Sequence, residues 1–466
     1  MKHHRLLAAA LVAAAAGAVR AEDSTSINGI TIYGTVDMGI AYDTHGAPNS
    51  TIGSVSSFSV IQKQSNRANF GVTENGMAQS KIGIKGAEDL GGGWTGLFKL
   101  EGGISPSGGA ITDGLKSLIN NNGYTVAGNA AHPTAYNGFN SAGADSFRAG
   151  QPFNQAAYVG VSNDTYGTLT LGRQTTLETD LVGNYDPLRN SYAYSLIGFS
   201  GTAAGSGSTE DSRWDNSIKY LVSYGPAHAG IMYSPNGSIG ARNNTDLGAD
   251  IGFDEAGLSV DFVYTHTKDE VSASSLSASQ VLAVQADGLS PSNTVAATLF
   301  DTTAYSLGAK YVIDDRFTVL GGVEYIEEKS PSSPVPNGTI DIGGYSLFVT
   351  NNAATFPGEK DLTYVWAGVR YQATPKLELA TGYYYLHQND YSGNNAADIK
   401  ACAASKSSSP TCAGDEHVMS IYADYHFTRK FDVYAGLMYS RVLGGQDYGF
   451  VHSNNIAPSA GVRYSF

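Results

Sequence analysis

The 466-residue chain carries 56 Gly, 29 Tyr and 15 Pro, and its charged residues make up only 15%, against roughly 25% in an ordinary soluble domain. Its formal charge of −14 excludes nucleic acid as a natural partner. Many Gly and Tyr with few charges point to one all-β unit rather than to two or three soluble domains.

Residues 1–21 read as a signal peptide. Lys2, His3, His4 and Arg5 form a basic start, Leu6 to Val19 is an Ala-rich apolar run, and Val19-Arg20-Ala21 ends it, with cleavage expected before Glu22. The run is short for a membrane-crossing helix of ~20 residues. Residues 22–466 then hold 25 Lys and Arg against 42 Asp and Glu, a net charge of −17. No later apolar run approaches helix-spanning length, which leaves transmembrane β-strands open, since these are short and only half apolar.

The first strand is "GITIYGTVDMGIAY", with Ile30, Ile32, Val36, Met38 and Ile40 on one face and Thr31, Tyr33, Thr35 and Asp37 on the other. Ile82 and Ile84 set the outward face of the next segment, so Lys81 and Lys85 point inward. By the same parity Phe98 and Leu100 point out, and Lys99 and Glu101 point in. Arg173 shares parity with the apolar Leu169 and Leu171, so it is expected to point outward. A lone Arg in lipid is costly, so either the strand bends inward there or a neighbouring subunit covers it; the second is favoured. Ile218, Tyr220 and Val222 face out, which turns Arg213 and Lys219 inward.

The last third alternates most clearly. In "TYVWAGVRY", "LELATGYYYL", "VMSIYADYHF" and "FDVYAGLMY" every charge falls on one face, and the opposite face is apolar with aromatics at its ends. A soluble sandwich also alternates, but lipid outside and water inside explain a broad apolar face repeated this often. The final "GVRYSF" keeps the alternation through Val462, Tyr464 and Phe466.

Short connections are expected at 90–93, 163–166, 225–229, 254–257, 314–316, 374–376 and 428–430. Long ones are expected at about 43–79, 103–153, 175–212, 235–245, 269–302, 328–361, 389–416 and 443–456. They alternate without exception and imply sixteen strands, an even number with both termini at the short-turn end. The last strand must pair with the first, because unpaired backbone cannot face lipid.

Cys402 and Cys412 flank a Ser-rich spacer in an exported chain. A local disulfide is favoured over two free thiols or a metal pair, since no His lies between them. No enzyme motif survives inspection. "EDLGGGW" lacks the Lys-Ser/Thr of a phosphate loop, no H-E-x-x-H or G-x-S-x-G occurs, and His387 with Asp390 is only a loose acid/His pairing. No cofactor is expected, and no Asp spacing suits a tight calcium loop.

The stretches "ITIYGTVDMGI", "SKIGIKGAEDLGGGWTGLFKLEGG", "AYVGVSNDTYGTLTLGRQ", "DNSIKYLVSYG" and "GVRYSF", in this order and spacing, resemble the trimeric sixteen-stranded general porins of Gram-negative outer membranes. The resemblance implies an all-β, 16-stranded antiparallel transmembrane β-barrel over residues 22–466, with short periplasmic turns, long extracellular loops and an inward-folded third loop. It also implies a homotrimer in outer-membrane lipid and lipopolysaccharide. Phe466, with Tyr464 in step behind it, would be read by the outer-membrane barrel assembly machinery. Passive diffusion of ions and small hydrophilic solutes is the expected function. The family narrows its pore with the third loop, here 175–212, facing basic wall residues. The expected constriction sets Lys81, Lys85, Lys99, Arg213 and Lys219 against Glu178, Asp180 and Asp186. Lys81 stands where many relatives have Arg. The resemblance also puts the trimer contact near Arg173.

Two other readings stay open. One is an adhesin, with the long loops as its working part. The other is a solute-specific channel, with the inward Tyr33, Tyr158, Tyr384 and Tyr434 as a sugar track.

Overall fold

The computed structural model describes residues 26–466 apart from 28, 47–59, 62–66, 112–151, 199–208, 236–244, 275, 277, 291–292, 334–337, 343–344 and 350–355. The expected signal peptide, 1–21, lies outside the described residues.

Sixteen staves form one closed antiparallel sheet among the described residues. They are β1 (Ile30–Gly46), β2 in two pieces (Arg67–Glu74 and Lys81–Gly91), β3 (Trp94–Ser105), β4 (Ala156–Asn163), β5 (Gly167–Thr175) and β6 (Arg213–Tyr224). Then come β7 (Ala227–Ser234), β8 (Asp246–Glu255), β9 (Leu258–Ser274), β10 (Thr294–Val312) and β11 (Phe317–Lys329). The circuit ends with β12 (Lys360–Thr374), β13 (Leu377–Gln388), β14 (Gly414–His426), β15 (Phe431–Gly444) and β16 (Asn454–Ser465). Each stave pairs with the next, and β16 pairs with β1 from Thr35↔Ser465 to Ala41↔Ser459. Gly34 and Phe466 exchange both backbone hydrogen bonds, at 3.1 and 3.0 Å. A Cβ on Gly34 would sit 2.4 Å from the Phe466 ring, so the closing aromatic needs glycine opposite it.

Strand periodicity explains the two faces of the wall. Along β1, exposed Ile30, Ile32, Val36 and Ile40 alternate with buried Thr31, Tyr33, Thr35 and Asp37. The same exposed apolar series recurs around the barrel, for example at Val159, Ile251, Leu307, Val365 and Ile421. Such a surface is stable only against lipid. Aromatics gather near the short turns, with Trp94 stacked on Tyr166 at 5.9 Å and Phe317 on Tyr371 at 4.5 Å. The first of these turns uses Gly92 and Gly93 at φ +64° and +83°, backbone that L side chains rarely adopt.

The expected connections need three corrections. Arg67–Glu74 is strand inside the expected 43–79 connection; Phe70 and Val72 alternate outward but stand in an Asn- and Ser-rich stretch. The 269–302 connection is shorter than expected, because β9 runs to Ser274 and β10 starts at Thr294, and it carries helix α2 (Ala278–Ala286). The 328–361 connection holds a hairpin, Gly338–Ile342 with Tyr345–Val349, that pairs with the start of β10. Cys402, in helix α3 (Ala396–Ala404), is disulfide-bonded to Cys412 with the Cα atoms 5.3 Å apart.

Candidate functional site

The interior is organised by the connection from β5 to β6. Helix α1 (Leu177–Tyr185) starts there because Thr176 caps it, accepting from Thr179 N at 3.1 Å, and because Asp180 in its first turn favours its positive end. Its Leu177, Leu181, Val182 and Tyr185 are buried in one cluster with Trp214, Met232, Val263 and Ala304 on the inner faces of β6, β7, β9 and β10. The chain then crosses to the far wall. Trp366 Nε1 donates to Tyr185 O at 3.1 Å, Tyr194 donates to Ser459 O at 3.0 Å, and Ala193 N donates to Gly76 O at 2.8 Å. Pro187 occupies the space that a Cβ on Gly368 would need, at 2.4 Å.

The receiving point at Gly76 lies in the gap that divides β2. Residues 75–80 leave the wall and fold inward around Asp37, which is fully buried. Its Oδ2 accepts from Met77 N and Ala78 N at 2.8 and 2.9 Å, and its Oδ1 accepts from Tyr434 at 2.6 Å.

The structure groups the expected constriction residues differently from the sequence reading. Lys81 and Lys99 both reach Glu101, at 3.3 and 3.4 Å, on their own wall. Tyr33 donates to the same carboxylate at 2.7 Å, and Lys85 lies 4.9 Å from the Tyr33 ring centre. Lys219 pairs with Asp180 and donates to Thr175 O at 3.0 Å. Arg213 donates to Gln155 O at 3.0 Å. Parity breaks just after it, at Asn216 (φ 52°), and Trp214 turns into the core. Glu178 is fully buried beside Glu210 and Ser306, and burial, then Glu210, pushes its carboxyl up to about 8. Asp186 is also fully buried and accepts from Tyr384 and from Asn190 N. Burial raises its pKa, against those hydrogen bonds. Thus the structure joins Lys219 to Asp180, but it does not bring Lys81 or Lys99 to Glu178 or Asp186.

Arg173 is only 7% exposed in the single chain, donating to Asn154 O and Asp215 Oδ1 at 2.8 Å each. The register shift between Gly172 and Gln174 accompanies this placement. Within the single chain its cover comes from its own Asn154 and Asp215, so the inward bend, the other alternative above, accounts for its burial. His387 pairs with Asp415 at 2.8 Å, and Asp390 instead accepts from Ser392. Tyr33, Tyr384 and Tyr434 are each tied to a carboxylate.

The family model for the Gram-negative porins matches residues 8–445. The chain belongs to the Gram-negative porin family. It is 28% identical over 314 residues to an outer membrane porin protein of Bordetella pertussis (strain Tohama I), covering 66% of this chain. It is 26% identical over 271 residues to outer membrane porin protein 32 of Delftia acidovorans, covering 57% of this chain. The chain spans 65% and 60% of the length of these two relatives. Among solved structures, an anion-selective porin from Comamonas acidovorans matches with a TM-score of 0.57 at 17% identity, over 94% of this chain and 99% of that one. OmpT of Vibrio cholerae, in a trimer form, matches with a TM-score of 0.52 at 14% identity, over 94% and 99%. The likenesses to solved structures are of fold; membership of the family places this porin's barrel in the Gram-negative outer membrane.

In the porin, several charged residues bear on the lumen that the sequence reading did not single out. Arg189 pairs with Glu378, which also accepts from Tyr422 at 3.0 Å. Arg370 donates to Pro187 O at 2.9 Å and to Asp186 O. Parity already turned Arg370 and Glu378 inward; nothing in the loop sequence marked Arg189. In two of the three wall and loop groups the bases are the more exposed partners; in the Lys219–Asp180 pair the order is reversed, at 5% and 22%. The side chains of Arg189, Lys81 and Lys99 are 39%, 31% and 19% exposed, while their partners Glu378 and Glu101 are 4% and 7% exposed.

Proposed function

We propose that this porin is a water-filled channel for passive diffusion of ions and small hydrophilic solutes, narrowed by the β5–β6 connection. The observation that carries the reading is that connection's double attachment, to β6–β10 through α1 and to β12–β16 through its tip. We further propose an anion preference. Bases that stay wet while their acid partners are recessed leave a positive surface at the water, and charged linings select ions by their field. One structural neighbour is itself described as anion-selective. The transverse field expected between loop acids and wall bases is thereby revised, with Asp180 as the loop acid that remains partly wet at 22% exposure.

A homotrimer in lipid and lipopolysaccharide, assembled by machinery that reads Tyr464 and Phe466, completes the reading; the trimer form of one neighbour supports it. The family is one of channels rather than enzymes. The carboxylate-bound tyrosines favour neither a sugar track nor a solute-specific pore.

The test is current across a planar bilayer under a KCl gradient. Steps in multiples of three, with a reversal potential displaced toward the chloride value, are expected; displacement toward the potassium value would overturn the anion preference. Replacing Lys81 and Lys99 together by Gln turns a net positive triad into a lone Glu101 carboxylate. The reversal potential is then expected to move toward potassium by roughly a fifth of the ~59 mV that ideal selectivity gives for a tenfold gradient. Arg213→Gln, whose guanidinium is held by Gln155, is expected to move it less, in the same direction.

A further inference from the structure

We propose that Asp424, His426 and Asp432 form a binding site for a divalent transition-metal ion of the zinc type, on the inner wall at the periplasmic mouth. The residues come from three positions around one short turn. Asp424 and His426 end β14, Asp432 opens β15, and His426 and Asp432 are direct cross-strand partners. One donor atom from each residue lies within 4.8 Å of the other two. His426 Nε2 is 3.4 Å from Asp424 Oδ2, and its Nδ1 is 3.9 Å from Asp432 Oδ1. These two distances run from different ring nitrogens and one metal takes only one of them, so the fit rests on the grouping of one donor atom per residue within 4.8 Å, which must close toward the roughly 3.3 Å between ligands of a tetrahedral zinc; three protein ligands with a water in the fourth position are a common set. Imidazole with carboxylates suits zinc, copper or nickel better than calcium or magnesium.

A second observation points to a cation. Asp424 is 2% exposed, yet its Oδ1 has no hydrogen-bond partner. Asp432 is 5% exposed and in electrostatic contact with Asp424. Arg463 is shared between the two carboxylates, at 3.3 Å from Asp424 and 3.0 Å from Asp432. One guanidinium balances one of the two charges. Glu378 adds further negative potential on Asp424, which also hydrogen-bonds Asp432, so the second charge is met by His426, by a proton shared between the two carboxylates or by a cation. A metal ion held jointly by His426 and the two carboxylates takes the place of that proton.

The experiment is titration of the refolded full chain with Zn2+ in competition with a chromogenic zinc indicator, a readout independent of channel activity. One saturable site per chain is expected. His426→Gln should weaken it at least ~10-fold, since even outer-shell changes at metal sites cost that much. Arg463→Gln, which removes the competing charge, should tighten it. Native gel mobility before heating confirms that each variant is folded, and Asp424→Asn serves where His426→Gln fails to fold. Absence of a one-per-chain site, or affinity unchanged in both His426→Gln and Asp424→Asn, overturns the proposal. So does loss of the site in His228→Gln instead, because His228 contacts Asp261 at 2.5 Å and Asp254 at 3.3 Å. A zinc effect on current from the periplasmic side, reversed by a chelator, is the further result expected where the chain conducts.

Discussion

Asp37→Ala is expected to lower the resistance of the folded barrel to heat and denaturant and to make its open current noisy. The carboxylate serves two buried donors, Met77 N and the Tyr434 hydroxyl, and the half-buried Ala78 N. Its backbone N donates to Ser80 Oγ at 2.9 Å, and its carbonyl accepts from Asn75 N at 3.0 Å. The side chain therefore fixes the inward fold of 75–80 that splits β2. Each donor left buried without an acceptor costs ~1–3 kcal/mol, so the two buried ones together cost roughly 2 kcal/mol at the least. The effect reaches the pore because Gly76 receives Ala193 of the crossing loop, and because Met77 belongs to the same buried cluster as Leu188 and Tyr194. Asp37→Asn keeps one acceptor oxygen and should lose less. Unfolding followed by gel mobility, with single-channel recording at fixed voltage, checks both variants. An Ala variant that unfolds at the wild-type denaturant concentration would show that 75–80 holds itself in place.

The wall was legible in the sequence, and the interior was legible only in part. Period-2 alternation is enforced at every stave by lipid on one side and water on the other, so one rule read Ile30, Ile82, Leu171 and Ile421 alike. Alternating short and long connections then counted the staves. The rule fails where the backbone leaves the ladder. The 75–80 segment reads as an ordinary loop, since its fold depends on Asp37 and Tyr434, remote in sequence. Asn216, at φ 52°, reverses parity and brings in Trp214, which strict alternation turns outward. The loop acids failed for another reason: they were read as charges without a helix to orient them. On α1 the 3.6-residue period puts Glu178 on the stripe of Val182 and Tyr185, hence against the wall, and Asp180 off that stripe, beside Lys219. Arg189, at φ 58° with Asn190 at φ 54°, takes its direction from two successive left-handed residues that no pattern announced.

Glu178 is expected to make the folded porin sensitive to mild alkali. Its carboxyl is fully buried beside Glu210 and Ser306, with Glu324 of β11 also facing it. Burial, reinforced by Glu210, lifts its pKa from the usual 4.5 to about 8. Below the ordinary value the group is protonated in both folded and unfolded chains, and its full contribution to stability is present. From about 4.5 to about 8 the unfolded chain gives up the proton while the folded chain keeps it, so stability falls as pH rises. Above that window both forms are ionised and the loss is complete. Each pKa unit is worth ~1.4 kcal/mol, so a shift of this size amounts to several of them. Unfolding midpoints should therefore decline from pH 5 to pH 9 (roughly the span between the two pKa values), with larger current fluctuations at the alkaline end as α1 loosens from the wall. Glu178→Gln stays neutral throughout and keeps the shape of the side chain. It should match the wild type in acid, exceed it in alkali and show a flatter pH profile. The variant-to-wild-type difference matters because Asp186, also raised by burial, titrates in both proteins and cancels. If the two pH profiles run parallel, Glu178 is already ionised in the folded state and the helix is held down by something other than its protonated carboxyl.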